Sequence, residues 1–133
     1  MRAADTSLAV AAFASWHEKH ELARAELDQG LRLIDHCALE SYSVLTRLPP
    51  PHRAPGIVVR DFLAARFGGP LLRLGAADYR NFVLGLPERE VSGGAAYDAL
   101  VAATAAAHRA ELVTCDRRAV SVYERYGVRI RIL

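Results

Sequence analysis

The amino-acid sequence predicts an α/β domain, a parallel sheet with helices on both faces. Three observations carry this. Short strand-like runs alternate with longer helical stretches along the whole chain, the pattern of βαβ units joined by right-handed crossovers. Glycine and proline mark most of the boundaries between them. At 133 residues, with 52% hydrophobic and 24% charged side chains, the chain has the composition of a globular protein and the length of one core, not two. A single domain over 1–133 is expected.

The first strand is placed at Arg2–Asp5. Its residues have poor strand propensity, so its place in the alternation decides. Thr6 and Ser7 read as the turn and N-cap of a helix reaching Ala14. A second helix covers Glu18–Gln29, with Leu22, Ala25 and Leu27 apolar and Gly30 as its stop. Leu31–Ile34 is the second strand. Ala38–Leu48 is helical, with Leu39, Tyr42, Leu45 and Leu48 at three-residue steps, and Pro49-Pro50-Pro51 ends it. The segment Pro49–Gly56 holds four of the six prolines and reads as a loop. A helix over Ile57–Phe67 closes at Gly68-Gly69-Pro70. Leu71–Leu74 is the third strand, Ala76–Leu86 a helix, and a loop runs through Ser92-Gly93-Gly94. Ala95–Arg109 is nearly all alanine, with Leu100, Val101 and Thr104; so much of its surface is apolar that it must be largely buried. Glu111–Thr114 is a strand, Arg117–Tyr126 a helix and Arg129–Ile132 the fifth and closing strand.

Composition excludes several classes of function. A net charge of +2 is too small to mark a nucleic-acid binder by bulk charge. Lys19 is the only lysine among 17 basic residues, and the rest are arginines, whose planar fork suits phosphate. Cys37 and Cys115 have no CxxC partner and no histidine at zinc spacing, which argues against a metal-thiolate site. A disulfide and free thiols both remain open, free thiols being simpler. No run approaches the roughly 20 apolar residues of a membrane span. Leu8–Ala14 is apolar, but Asp5 stands where a signal peptide needs positive charge, so the reading is no signal and a cytoplasmic protein. There is no GxxxxGK[ST], no GxGxxG and no GxSxG.

What remains is a set of carboxylates at telling places. Asp5 ends the first strand, and Asp116 follows the strand Glu111–Thr114. Glu40 is placed in the first turn of a helix that follows a strand, and Asp98 near the start of the alanine-rich helix. Each alone has a plain structural role, as a helix cap or an acid favoured by the helix dipole. Asp98 fits that role least, because its neighbours in sequence are apolar. In open parallel sheets, sites form at the carboxyl ends of strands, where strand order reverses. If the first and fourth strands are neighbours, Asp5 and Asp116 leave the sheet side by side, and two helix starts bring Glu40 and Asp98 to the same crevice. So many carboxylates repel unless a divalent cation sits among them. Oxygen ligands select Mg²⁺ or Mn²⁺. Such an ion activates water against a phosphodiester.

The chain resembles the PIN-domain nucleases, most closely the VapC toxins of bacterial and archaeal toxin–antitoxin pairs. The likeness is carried by Asp5-Thr6-Ser7 after the first strand, Glu40 within Ala38–Leu45, Tyr97-Asp98-Ala99-Leu100 opening the alanine-rich helix, and Thr114-Cys115-Asp116-Arg117-Arg118. The run Leu45–Pro51 looks like the actinobacterial branch. The resemblance implies a PIN-like three-layer sandwich with a parallel five-stranded sheet flanked by helices. It implies a metal-dependent endoribonuclease with Asp5 and Asp98 as principal ligands of Mg²⁺ or Mn²⁺. Glu40 and Asp116 would complete the acidic pocket, and Thr6 or Ser7, with Thr114, would hold carboxylates or waters. It further implies an RNA substrate, a VapB-type antitoxin partner and a homodimer. The first strand departs from the family pattern, Arg2-Ala3-Ala4 replacing an aliphatic run. A catalytically silent PIN-like module that binds RNA or protein is the alternative.

Other residues carry weaker signals. Arg117 and Arg118 are placed to touch RNA phosphate or to begin a solvated helix. Arg47, His52 and Arg53 flank the proline loop. His17, His20, His36 and His108 show no paired metal spacing. Trp16 is read as packing between two helices, with base stacking as the other possibility. Leu22, Leu27, Tyr42 and Leu45 are expected to exceed what the sheet can cover and to line a groove for the antitoxin.

Overall fold

A computed structural model describes residues Met1–Leu133. Its centre is a four-stranded parallel sheet ordered β2-β1-β3-β4, built from β1 (Arg2–Ala4), β2 (Arg32–Leu33), β3 (Glu111–Thr114) and β4 (Ile130–Ile132). The thin first strand is the central one. Ala3 faces Arg32 on one side and Leu112 on the other, so ladder bonds on both edges override alanine's poor propensity. Ala3 and Ala4 are fully buried. Their small side chains let α1 (Thr6–Phe13) approach closely through Leu8, Ala9, Ala11 and Ala12, all buried.

The third of the five expected strands, Leu71–Leu74, is not formed, so the sheet has four strands. Only Leu72 pairs, in a single parallel bridge to Ile34. The Leu72 N–H donates to the Leu33 carbonyl, and the Asp35 N–H donates to the Leu72 carbonyl. Pro70 before it has no N–H to give, and Gly75 opens the next helix two residues beyond Arg73, so the edge has no length to extend.

The helices are α2 (His20–Asp28), α3 (Asp35–Arg47), α4 (Gly56–Arg66), α5 (Ala76–Leu84), α6 (Ala95–Ala107) and α7 (Val120–Glu124). Gly30, at φ +93°, makes the left-handed turn between α2 and β2. Two boundaries differ from expectation in ways that matter. α3 begins at Asp35 rather than Ala38, so Glu40 lies in its second turn, not its first. α7 is five residues long where ten were expected, because turns occupy both flanks. The three-residue steps along α3 also misled: Leu45 is buried, whereas Leu39 and Tyr42 are exposed.

α2 is strapped to the sheet by one buried acid. The Glu26 carboxylate pairs with Arg2 of β1 and, at 2.6 Å, with Nε of Arg131 on β4. Arg2 and Arg131 lie on different strands, so Glu26 bridges them from above. Glu26→Ala is expected to lower unfolding stability in urea by about 3 kcal/mol, the low end for a broken buried pair because both arginines keep access to water. An unchanged denaturation midpoint would show that the bridge contributes nothing.

Candidate active site

The sheet reverses direction of growth at β1: the chain passes to β2 on one side and returns with β3 on the other. Asp5 leaves β1 and Asp116 follows β3 at the same ends of these neighbours. The crevice of the α/β rule therefore opens where the sequence placed it.

Asp5 is buried, and each of its oxygens accepts two hydrogen bonds. Its Oδ1 accepts from the Leu8 N–H at 3.0 Å, capping α1, and from the Ser7 hydroxyl at 2.6 Å. Its Oδ2 accepts from the Thr114 hydroxyl at 2.5 Å and the Tyr123 hydroxyl at 2.9 Å. Burial raises its pKa, and these four donors oppose the rise without cancelling it. The structural role and the functional one therefore fall on the same side chain: Asp5 is both helix cap and site acid.

The four expected acids, Asp5, Glu40, Asp98 and Asp116, line one small cavity of about 40 Å³. Room for a water takes roughly 10–15 Å³ on that measure, so the cavity has the size for an ion with a water or two. Asp98 reports the crowding. Its pKa is raised, first by burial and then by the charges of Asp116, Glu40 and Asp5, with Arg118 opposing. The acids share a field without forming a closed cage, since no three His, Cys, Asp or Glu side chains converge closely enough to hold an ion as they stand. Oxygen donors under mutual repulsion are the donor set that Mg²⁺ or Mn²⁺ fits.

The supporting residues are partly those expected. Ser7 and Thr114 hold Asp5, whereas the Thr6 hydroxyl is buried and makes no hydrogen bond. Ser7 Oγ also accepts the Cys115 N–H, and Thr114 Oγ1 accepts the Asp116 N–H, which fixes the turn carrying Asp116. Tyr123 and His36 were not anticipated. Tyr123 reaches Asp5 from α7. His36 lies against Tyr97, ring centroids 5.3 Å apart and nearly parallel, with Nε2 3.6 Å from Glu40. The His36–Glu40 spacing of four is a helical signal, hidden because the helix was started too late.

No side chain here is a ready nucleophile. Both cysteines are free thiols. Burial and the charge of Asp5 push Cys37 far up, and Cys115 up to about 11, so neither is a thiolate at neutral pH. Ser7 donates to the Asp5 carboxylate and makes no hydrogen bond to a histidine. Attack by an activated water is the chemistry left to these residues.

Comparison with known proteins agrees with this geometry. The family model described as PIN domain matches residues 3–125. Ribonuclease VapC40 of Mycobacterium tuberculosis, found in two strains, is 50% identical over 133 residues, covering 100% of this chain and 99% of its own. Ribonuclease VapC27 of the same species is 41% identical over 129 residues, covering 96% and 93%.

Asp98→Asn is expected to abolish catalysis, a larger loss than the roughly 10- to 100-fold that removing an outer partner costs. It should also melt at a higher temperature than the parent in EDTA at pH 7. The sign follows from the raised pKa: the ionised form is disfavoured in the folded chain, and that penalty fades as pH falls through the folded pKa. The stabilisation should therefore shrink toward pH 4 in calorimetric melts. An Asp98→Asn chain that unfolds would make Asp98 a structural partner. Tyr123→Phe removes one donor from a buried carboxylate and should lower stability by about 1–2 kcal/mol in denaturant titrations.

Proposed function

The chain belongs to the PIN-domain family, and from that premise and the acid-lined cavity we propose that it is an endoribonuclease, the toxin of a toxin–antitoxin pair. The single observation that carries the reading is the convergence of Asp5, Glu40, Asp98 and Asp116 on one cavity at the switch point of the sheet. Residues 1–133 act as one PIN domain, with the helices layered on the two faces of the sheet.

Asp5 and Asp98 are the principal residues for holding Mg²⁺ or Mn²⁺, with Glu40 and Asp116 completing the set directly or through water. A bound divalent ion supplies Lewis acidity toward a phosphoryl oxygen and lowers the pKa of water. The chain's own part is positional. Four donors lock Asp5, and the Arg118 N–H at 3.0 Å holds Oδ1 of Asp116. Glu40 is less tied: its side chain is 43% exposed and meets only His36 at 3.6 Å, which leaves it free to accept a proton from the attacking water.

An open acidic cavity attracts cations, so an arginine or lysine from a VapB-type antitoxin entering it would block the site. The groove expected to receive such a partner needs revision. Leu27 and Leu45 are buried in the chain's own core, while Leu22 and Tyr42 stay exposed. Tyr42 borders a cleft with Ile57, Arg60 and Leu63 between α3 and α4, a better seat for an apolar segment. A homodimer is supported by α5, which buries none of its residues and exposes Tyr79, Val83 and Leu84. No helix is long and apolar enough to cross a membrane.

Purified protein should cleave RNA with Mg²⁺ or Mn²⁺ and stop with EDTA. Cleavage that survives both EDTA and Asp5→Asn would sink the assignment. RNA binding without uptake of Mn²⁺ in calorimetry would mark a binding module instead. Co-expression with a short neighbouring reading frame should relieve toxicity, and light scattering should give twice the monomer mass.

A further inference from the structure

Glu40 is the one glutamate among the four site acids, so its carboxylate rides on one more rotatable bond than the aspartates have. It lines both the acidic cavity and an adjoining groove of about 630 Å³, which places it at the rim between them. Its charge is among those that raise the pKa of Asp98. A flexible carboxylate at that rim is therefore pushed by the other acids toward the open side, where water solvates it. Something must oppose this if Glu40 is to serve the cavity.

His36 is the group placed to do so. It lies one turn before Glu40 on the same face of α3 and lines the acidic cavity itself. Its Nε2 stands 3.6 Å from Oε2 of Glu40, just beyond hydrogen-bond length. That nitrogen is buried and makes no hydrogen bond. A buried polar atom without a partner is costly, and a small turn of Glu40 toward it removes the cost. Four buried side-chain polar atoms in the chain lack a partner, and two of them, this one and Thr6 Oγ1, belong to residues lining this cavity. The His36 ring has little freedom to seek another partner, because it lies nearly parallel on Tyr97, with an interplanar angle of 11°. The stack also ties α3 to α6, the helices that carry Glu40 and Asp98. An ordinary pair at this spacing on an open helix face does little. Burial of Nε2 and the stacked ring set this one apart.

We propose that His36 is a positioning residue: its Nε2–H turns the Glu40 carboxylate into the acidic cavity and holds it there, while the Tyr97 ring fixes the imidazole. The inference rests on the ribonuclease reading and adds a residue outside the acidic set. His36 acts through Glu40 and not on the reacting atoms. A donor that holds a flexible carboxylate in place spares the site the entropy of ordering it when a divalent ion arrives.

Two substitutions separate the donor from the ring. His36→Phe keeps a ring against Tyr97 and deletes the donor, whereas His36→Gln gives up the ring and returns an N–H near the same place. In calorimetry without RNA, His36→Phe should weaken Mn²⁺ binding about 10- to 100-fold, the range for losing a partner that orients a ligand. It should lower kcat for RNA cleavage by a similar factor and leave KM unchanged. His36→Gln should recover most of both. Glu40→Ala closes a double-mutant cycle read in Mn²⁺ affinity. Added to Glu40→Ala, His36→Phe should change that affinity by less than about twofold, because the carboxylate it positions is gone. Circular dichroism melts check folding, and His36→Leu replaces His36→Phe if the latter misfolds. An equal loss with and without Glu40 means that His36 acts on its own and overturns the proposal. A His36→Phe chain that binds Mn²⁺ and cleaves like the parent also overturns it, and both results leave the ribonuclease standing. A parent chain that takes up Mn²⁺ but cleaves no RNA overturns the ribonuclease reading, and the Mn²⁺ cycle then decides His36. A parent chain that takes up no Mn²⁺ overturns the acid site and the role of His36 with it.

Discussion

Burying the Asp5 carboxylate at the exit of the central strand sets a problem that donors from three parts of the chain answer together. Ser7 and Leu8 come from the start of α1, Thr114 from the end of β3, and Tyr123 from α7. The same hydroxyls then accept the N–H groups of Cys115 and Asp116. One charge therefore orders the N-terminus of a helix, the turn after a neighbouring strand and a five-residue helix too short to be stable alone. Removing any one of these would leave a donor or a charge stranded in a dry place, where its cost is highest.

The arrangement works against the stability of the chain that holds it. Burial of Asp5 outweighs its four hydrogen bonds, and Asp98 is pushed up by three neighbouring acids as well as by burial. The core that offsets this is built largely from alanine, among them Ala3, Ala4, Ala9, Ala11, Ala102 and Ala105. Alanine permits close approach of α1 to the sheet but removes little apolar area from water per residue. A ligand that binds the acids in the folded state adds stability by mass action, which couples occupancy of the site to persistence of the fold. Acids placed this badly for folding mark the cavity as a candidate site for chemistry.

Three of the four site acids were legible in the sequence for a topological reason. Asp5 and Asp116 follow strands that pair, and Asp98 opens a helix whose alanine composition announces burial. Glu40 was found with its turn misassigned, because Asp35, an acid suited to a helix's first turn, was left outside the helix and the run from Ala38 taken as its start. His36 was lost by the same error. Tyr123 was not legible at all: its role depends on α7 folding back onto β1, a contact between residues 118 apart in sequence. The expected third strand failed because Leu71–Leu74 has strand-like residues but only Leu72 finds a partner. Local pattern identified what could pair, and tertiary contact decided what did.

Net charge hides how the chain is electrically organised. The total of +2 is nearly neutral, yet acids crowd one cavity while the next sets Lys19, Arg117 and Arg118 among Glu18, Glu40 and Asp116. The two regions share walls, so they lie within a Debye length, about 10 Å at 0.1 M salt, and neither is screened from the other. Without a cation, the acids repel a phosphate and the bases hold it only at the edge. A divalent ion among the acids would therefore favour a phosphate beside them through charge alone. Bases set among the acids along the shared wall would let the same small surface take a cation and then an anion beside it.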